Sequence, residues 1–167
     1  PIALAYGVLS LPGASGRDLS IVMAARFVPL LAFMLFGGVI ADRFQRNRLV
    51  GASDVLGSCC AAISAISLIA GFSSTWLLAL MGALFGILNA LWWPAMSGVL
   101  PEILPKEKLQ DGNAVIGLVS NIGNISGALL GGVIVAAFNP GWGLLVDAIS
   151  FFIAGLIVWN LDLPSKT

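Results

Sequence analysis

Five uninterrupted apolar runs, roughly residues 19–41, 49–71, 75–99, 112–138 and 141–161, dominate this chain. Each is long enough to cross a bilayer as a helix, which takes about 20 apolar residues. In lipid every backbone N–H and C=O must be satisfied internally, so only helices and closed barrels span it. Barrel strands read as segments of about ten alternating residues, and these runs are longer and continuous. They predict an all-α membrane protein. Residues 1–11 read as the last part of a sixth span.

Composition supports the same solvent. Of 167 residues 59% are hydrophobic and 10% charged, against about 45–50% and about 25% in soluble domains. Too few polar residues remain to coat a water-facing surface. Net charge is zero, which gives no reason to expect a nucleic-acid partner. Cys59 and Cys60 are adjacent inside an apolar run; this is neither a disulfide framework nor metal spacing, and they read as small packing residues. The start, "PIALAYGVLSL", lacks the basic region and cleavage site of a signal peptide. The expectation is a fragment of a longer chain.

Orientation follows from Lys and Arg in short loops. Residues 42–48 carry Arg43, Arg46 and Arg48, residues 100–111 carry Lys106 and Lys108, and the tail carries Lys166. The alternate loops hold only Arg17. The rule places 42–48, 100–111 and the tail in the cytoplasm of a multi-pass protein of the cell (inner) membrane. Trp76 and Trp142 then fall at the outer interface and Trp159 at the inner one, as an aromatic belt requires.

A weak internal repeat is present. Pro1 and Pro94, Gly37-Gly38 and Gly131-Gly132, and Asp54 and Asp147 are 93 or 94 residues apart. Helices 1–3 and 4–6 start on opposite sides of the membrane, so the repeat is inverted. Three-plus-three inverted repeats mark transporters, with substrate near the repeat interface.

No catalytic constellation accompanies these helices. Histidine is absent, as are GxSxG, HExxH and phosphate-cradling lysine loops, and no metal site or cofactor is expected. Charge within the spans stands out instead, because it costs at least ~2.5–3.5 kcal/mol at a helix centre. Arg26 and Asp147 lie in the outer halves of helices 2 and 6, and Asp54 in the cytoplasmic third of helix 3. A proton relay, an anion contact or a gating salt bridge would use them. So would a structural arrangement, with Arg26 on Asp147 and Asp54 on the arginine cluster.

Helix 5, "DGNAVIGLVSNIGNISGALLGGV", carries Asn113, Gly117, Asn121, Asn124, Ala128 and Gly131 along one face. Gly123, Gly127 and Gly131 are consecutive small-xxx-small steps that permit close helix approach. Such a stripe must face protein or water. The glycines read as packing and the asparagines as lining for a hydrated path or a moving interface. Gly82, Gly86 and Asn89 repeat the theme in helix 4, where Trp92 and Trp93 lie too deep for the interfacial belt, so that one of them is a candidate cavity residue.

"GGVIADRFQRNR" resembles the loop 2–3 signature of the major facilitator superfamily, Gly-x-x-x-Asp-Arg-x-x-Arg, through Gly38, Asp42, Arg43 and Arg46. It departs at Gln45 and Asn47, and Arg48 supplies the usual second basic charge. "GNISGALLGG" is similar to the helix 5 antiporter motif through Gly123, Gly127, Gly131 and Gly132, with Ala128 in place of Pro. The wider pattern of "MAARFVPLLAFMLFGGVIADR", "LPEILPKEKLQDGNA" and "GWGLLVDAISFFIAGL" resembles the transmembrane secretion-effector branch, which holds siderophore and macrolide-type exporters.

The resemblance implies a twelve-helix fold with alternating access. This chain would be its N-terminal six-helix half, with the first helix truncated, and its partner the missing C-terminal half. Asp42 would face a helix of that half and, with Arg43 and Arg46, latch the cytoplasmic side. The implied activity is proton-coupled export of an amphipathic small molecule, a drug or siderophore, driven by the proton gradient. An importer of the same superfamily and a non-transporting membrane scaffold remain the alternatives.

Overall fold

The computed structural model describes residues 2–161. Pro1, Lys166 and the side chain of Asp42 lie outside the described residues. The elements run in the order α1 (Ile2–Leu9), α2 (Gly16–Arg43), α3 (Arg46–Ile69), α4 (Thr75–Ile103), a 3-10 turn (Lys106–Lys108), α5 (Leu109–Ala137) and α6 (Pro140–Trp159). No strand occurs among the described residues. Helices α2 to α6 are each long and apolar enough to cross a membrane.

The helices outrun the apolar segments, chiefly at the arginine-bearing end. α2 continues through Arg43 and α3 starts at Arg46, so only Phe44 and Gln45 separate them. The expected loop at 42–48 is thus mostly helix ends. Residues 100–111 are likewise the end of α4, the 3-10 turn and the start of α5. The reason is local: a helix that leaves hydrocarbon has no cause to stop, and Arg is a good helix former that suits the negative C-terminal end of α2. At the opposite end, local caps start the helices. Asp18 accepts from the backbone N–H and hydroxyl of Ser15, both at 2.9 Å. Ser74 accepts from the Leu77 N–H, and Asn139 accepts from the Gly141 N–H ahead of α6.

Packing is organised by glycines. α2 lies along α4 in backbone contact at two places. Gly37 meets the carbonyl of Ala90, the group left without an in-helix donor because Pro94, four residues on, has no N–H. Gly86 meets the carbonyl of Arg26. Any Cβ at either glycine would strike main chain, so α2 and α4 depend on them. α3 and α6 cross at Gly51 and Gly155, where an added Cβ at Gly51 would lie 2.9 Å from the Gly155 carbonyl oxygen. Leu4, Val8, Val22, Ala65, Leu68, Leu78 and Leu144 form a core towards the capped end. A smaller one, Ala41, Val50 and Ala95, lies towards the arginine end.

The inverted repeat makes α5 the counterpart of α2, and α1 the counterpart of α4. In this chain α1 has eight residues, so for most of its length α5 has no counterpart of α4 to lie on. No residue of α5 is buried.

Candidate functional site

At the arginine-rich end, the loop 2–3 signature spans the end of α2 and the start of α3, and its Arg46 reaches α4. Arg46 opens α3, and its guanidinium lies over Gly98 of α4, where any side chain would collide with it. From there Nε of Arg46 reaches Oε1 of Glu102 at 3.4 Å. Arg46 stands at a helix N-terminus and Glu102 in the last turn of another helix, so each charge opposes the dipole of its own helix. Their pairing offsets both. The side chains are only 19% and 21% exposed, which places the pair within the bundle. Arg43 and Arg48 are exposed. Gly38 has open space where a Cβ would go, whereas Gly37 is the buried contact.

Beside this pair, Asn47 is buried and donates a 2.7 Å hydrogen bond from Nδ2 to the carbonyl of Leu161, just past α6. It ties the start of α3 to the end of α6. Deeper in, Asp54 is 7% exposed and packs against Gly155. It does not reach the arginine cluster, and among the described residues no cation pairs with it. Its electrostatic neighbour is the Trp92 indole, whose Nε1 is buried but lacks a hydrogen bond of good geometry. Asn89 donates to the Phe85 carbonyl one turn back on its own helix, at 3.1 Å.

Towards the other end, a small cavity between the helices is lined by Leu4, Arg26, Cys60, Ser64, Phe85 and Asp147, among others. Gly82 and Gly86 give Arg26 its place, since α4 presents no side chain there. The Arg26 guanidinium carbon lies 4.7 Å from the Phe85 ring centroid. Such cation–π contact is worth about 0.5–2 kcal/mol, more when dry. Phe85 is itself fixed edge-on by Phe151, with centroids 5.4 Å apart. Asp147 faces the same cavity within electrostatic reach of Arg26, yet no direct ion pair joins them.

The α5 stripe stands apart. Asn113, Asn121, Asn124 and Ala128 are exposed. An added Cβ at Gly117, Gly123, Gly127, Gly131 or Gly132 would meet nothing within 4 Å. The close helix approach expected of these glycines does not occur among the described residues, because most of the face has no neighbour in this chain.

The family described as Major Facilitator Superfamily matches residues 2–167. The chain belongs to this superfamily. It is similar to the staphyloferrin A transporter of Staphylococcus aureus, at 29% identity over 83% of this chain and 35% of that protein. It is also similar to a Na(+), Li(+), K(+)/H(+) antiporter of Planococcus maritimus, at 29% over 77% of the chain and 30% of the relative. The multidrug efflux pump Tap of Mycolicibacterium fortuitum is 31% identical over 75% and 32%. The chain spans about a third of the length of these relatives. No solved structure matches it.

In this member of the major facilitator superfamily, one-dimensional spacing does not reveal all the partners of these residues. It gives no part to Glu102 or Gly98, since an acid near a charged turn and a lone helical glycine look ordinary in one dimension. It makes Asn47 a departure from a basic pattern, whereas the neutral amide is what lets that position be buried on a carbonyl. It picks out Gly82 and Gly86 without their occupant, the α2 backbone and Arg26.

Proposed function

We propose that this chain is the N-terminal half of a secondary-active exporter that moves an amphipathic small molecule, a drug or a siderophore, by alternating access driven by the proton gradient. The observation that carries this reading is the Arg46–Glu102 pair seated on Gly98, built from the most specific motif in the chain. It is a charged clasp between α3 and α4 at the end that the Lys and Arg distribution assigns to the cytoplasm. An ion pair that offsets two unfavourable helix dipoles is stable while the helix ends stay together and costly once they part, so it has two discrete states. A gate needs that bistability.

The superfamily signature assigns Asp42 to the same latch, and Gly38, open on this chain's surface, leaves room for the second six-helix half to approach. The α5 face with Asn113, Asn121 and Asn124 contributes to the substrate path between the halves, with Gly123, Gly127, Gly131 and Gly132 as its contact with the second half. The names of the relatives, which cover siderophore transport, multidrug efflux and cation/H(+) antiport, support small-molecule export. They also favour proton exchange over other driving forces.

The test is efflux from cells and everted vesicles carrying the full transporter, with ethidium and staphyloferrin A as probes. Export is expected to fall several-fold in Arg46→Ala and to stop when the proton gradient is collapsed. Net uptake along the same gradient would reverse the direction assigned. Full transport activity in both Arg46→Ala and Asp42→Asn would remove the latch.

A further inference from the structure

The cavity at the end opposite the arginines contains two opposite charges that do not touch. Arg26 from α2 and Asp147 from α6 both line it, and no direct ion pair closes the gap. In a low-dielectric interior such charges attract strongly, so something must hold them apart. Arg26 is held through its guanidinium over Phe85 and its carbonyl against Gly86. Asp147 rides on a helix whose start is capped by Asn139 and lies so close to α3 at Gly141 that an added Cβ there would come within 2.8 Å of the Ala65 carbonyl oxygen.

The cavity offers about 30 Å³ to water centres, and one water takes about 10–15 Å³ on that measure. About two waters fit, and two charged groups supply the polar partners that such waters need. The remaining lining offers no competing acid. α1 contributes Leu4, and α4 contributes Phe85. α3 contributes the Cys60 thiol and Ser64, whose hydroxyl is committed to the Cys60 carbonyl at 3.0 Å. α5 contributes no lining residue. Asp54, the repeat-related acid, does not line this cavity.

We infer that Asp147 is the proton-binding carboxylate of the transport cycle, with Arg26 as its fixed counter-charge and the water between them as the proton's route. This rests on the proton-coupled reading above. The step is a simple protonation: a proton delivered by cavity water bonds to a carboxylate oxygen of Asp147, and its departure to water restores the anion. Arg26 keeps its proton throughout, as a guanidinium must. A carboxylate locked directly onto arginine would exchange protons poorly. The gap keeps Asp147 available while leaving its charge balanced. Protonation removes that balance and frees the Arg26 field to act on a neighbouring helix or an anionic group, which couples proton occupancy to conformation.

The experiment is infrared difference spectroscopy of the full transporter in proteoliposomes, titrated from acid to alkaline pH in H₂O and D₂O. A carboxylic C=O band that shifts in D₂O is expected at acid pH, lost in Asp147→Asn and displaced in Asp147→Glu. Arg26→Gln is expected to move the pH at which the band appears by about one unit, the scale set by one nearby opposite charge. Survival of the band in Asp147→Asn overturns the assignment. Should that variant fail to fold, a band unmoved in Asp147→Glu overturns it instead, and an unmoved titration in Arg26→Gln removes the counter-charge role. Loss of the band in Asp147→Asn together with ethidium efflux indifferent to a collapsed gradient would leave the proton site standing and overturn proton-coupled export.

Discussion

α4 and α5 look alike in one dimension and differ completely in space. Both are 29-residue helices rich in glycine at helical spacing. In α4, Gly82 and Gly86 receive the backbone and the Arg26 side chain of α2, and Gly98 receives Arg46. In α5, Gly117, Gly123, Gly127, Gly131 and Gly132 receive nothing. The lesson is that a small-residue stripe announces the capacity for close approach and says nothing of whether the partner has arrived. Where it has, the glycines place charged groups. Where it has not, the stripe is surface.

The largest expected effect tests this contrast directly. Gly86→Leu drives a side chain into the Arg26 carbonyl and should cost about 3 kcal/mol, whereas Gly127→Leu in this chain should stay within about 0.5 kcal/mol, as surface substitutions do. Denaturant unfolding in detergent micelles compares them, and equal losses would break the distinction. Next, Asn47→Ala removes the bond that ties α3 to the end of α6 and should cost about 1–2 kcal/mol. Asn124→Ala on the open face, measured in the same way, should cost almost nothing.

A smaller effect belongs to the clasp. A double-mutant cycle on Arg46→Ala and Glu102→Ala should return a coupling near 1 kcal/mol, the upper end for pairs with partial exposure, and it should shrink at high salt. A coupling of zero would reduce the pair to proximity. Smallest is Thr75→Val, which removes the 3.0 Å bond to Asp18 that joins the starts of α2 and α4. A loss of about 0.5 kcal/mol would mark that end as held mainly by apolar packing.

Much of the architecture could be read without coordinates. Spans about 20 residues long, the punctuation between them and the up-down alternation follow from hydropathy, and helix boundaries fell within a few residues except where helices ran on into the charged loops. The site was readable only in part. Arg26 and Asp147 were singled out because charge in lipid is costly, and they do face one cavity. Of the alternatives open for Asp54, contact with the arginine cluster does not occur; it lies under Gly155 and beside Trp92. The signature pointed to Gly38, yet the glycine that meets α4 is Gly37. Neighbouring glycines differ by about 100° around a helix, and only the direction of the partner decides which one is filled.

The amino-acid sequence by itself determined the solvent, the all-helical class, the number of spans and the polarity of the two ends, because each depends on one segment and its surroundings. The superfamily signature is likewise a property of local spacing. Tertiary structure alone decided that Arg46 meets Glu102, that Asn47 holds the Leu161 carbonyl, and that Arg26 and Asp147 line one cavity without forming an ion pair. Those outcomes depend on how closely two helix backbones approach, and that distance is set jointly by residues far apart in the chain.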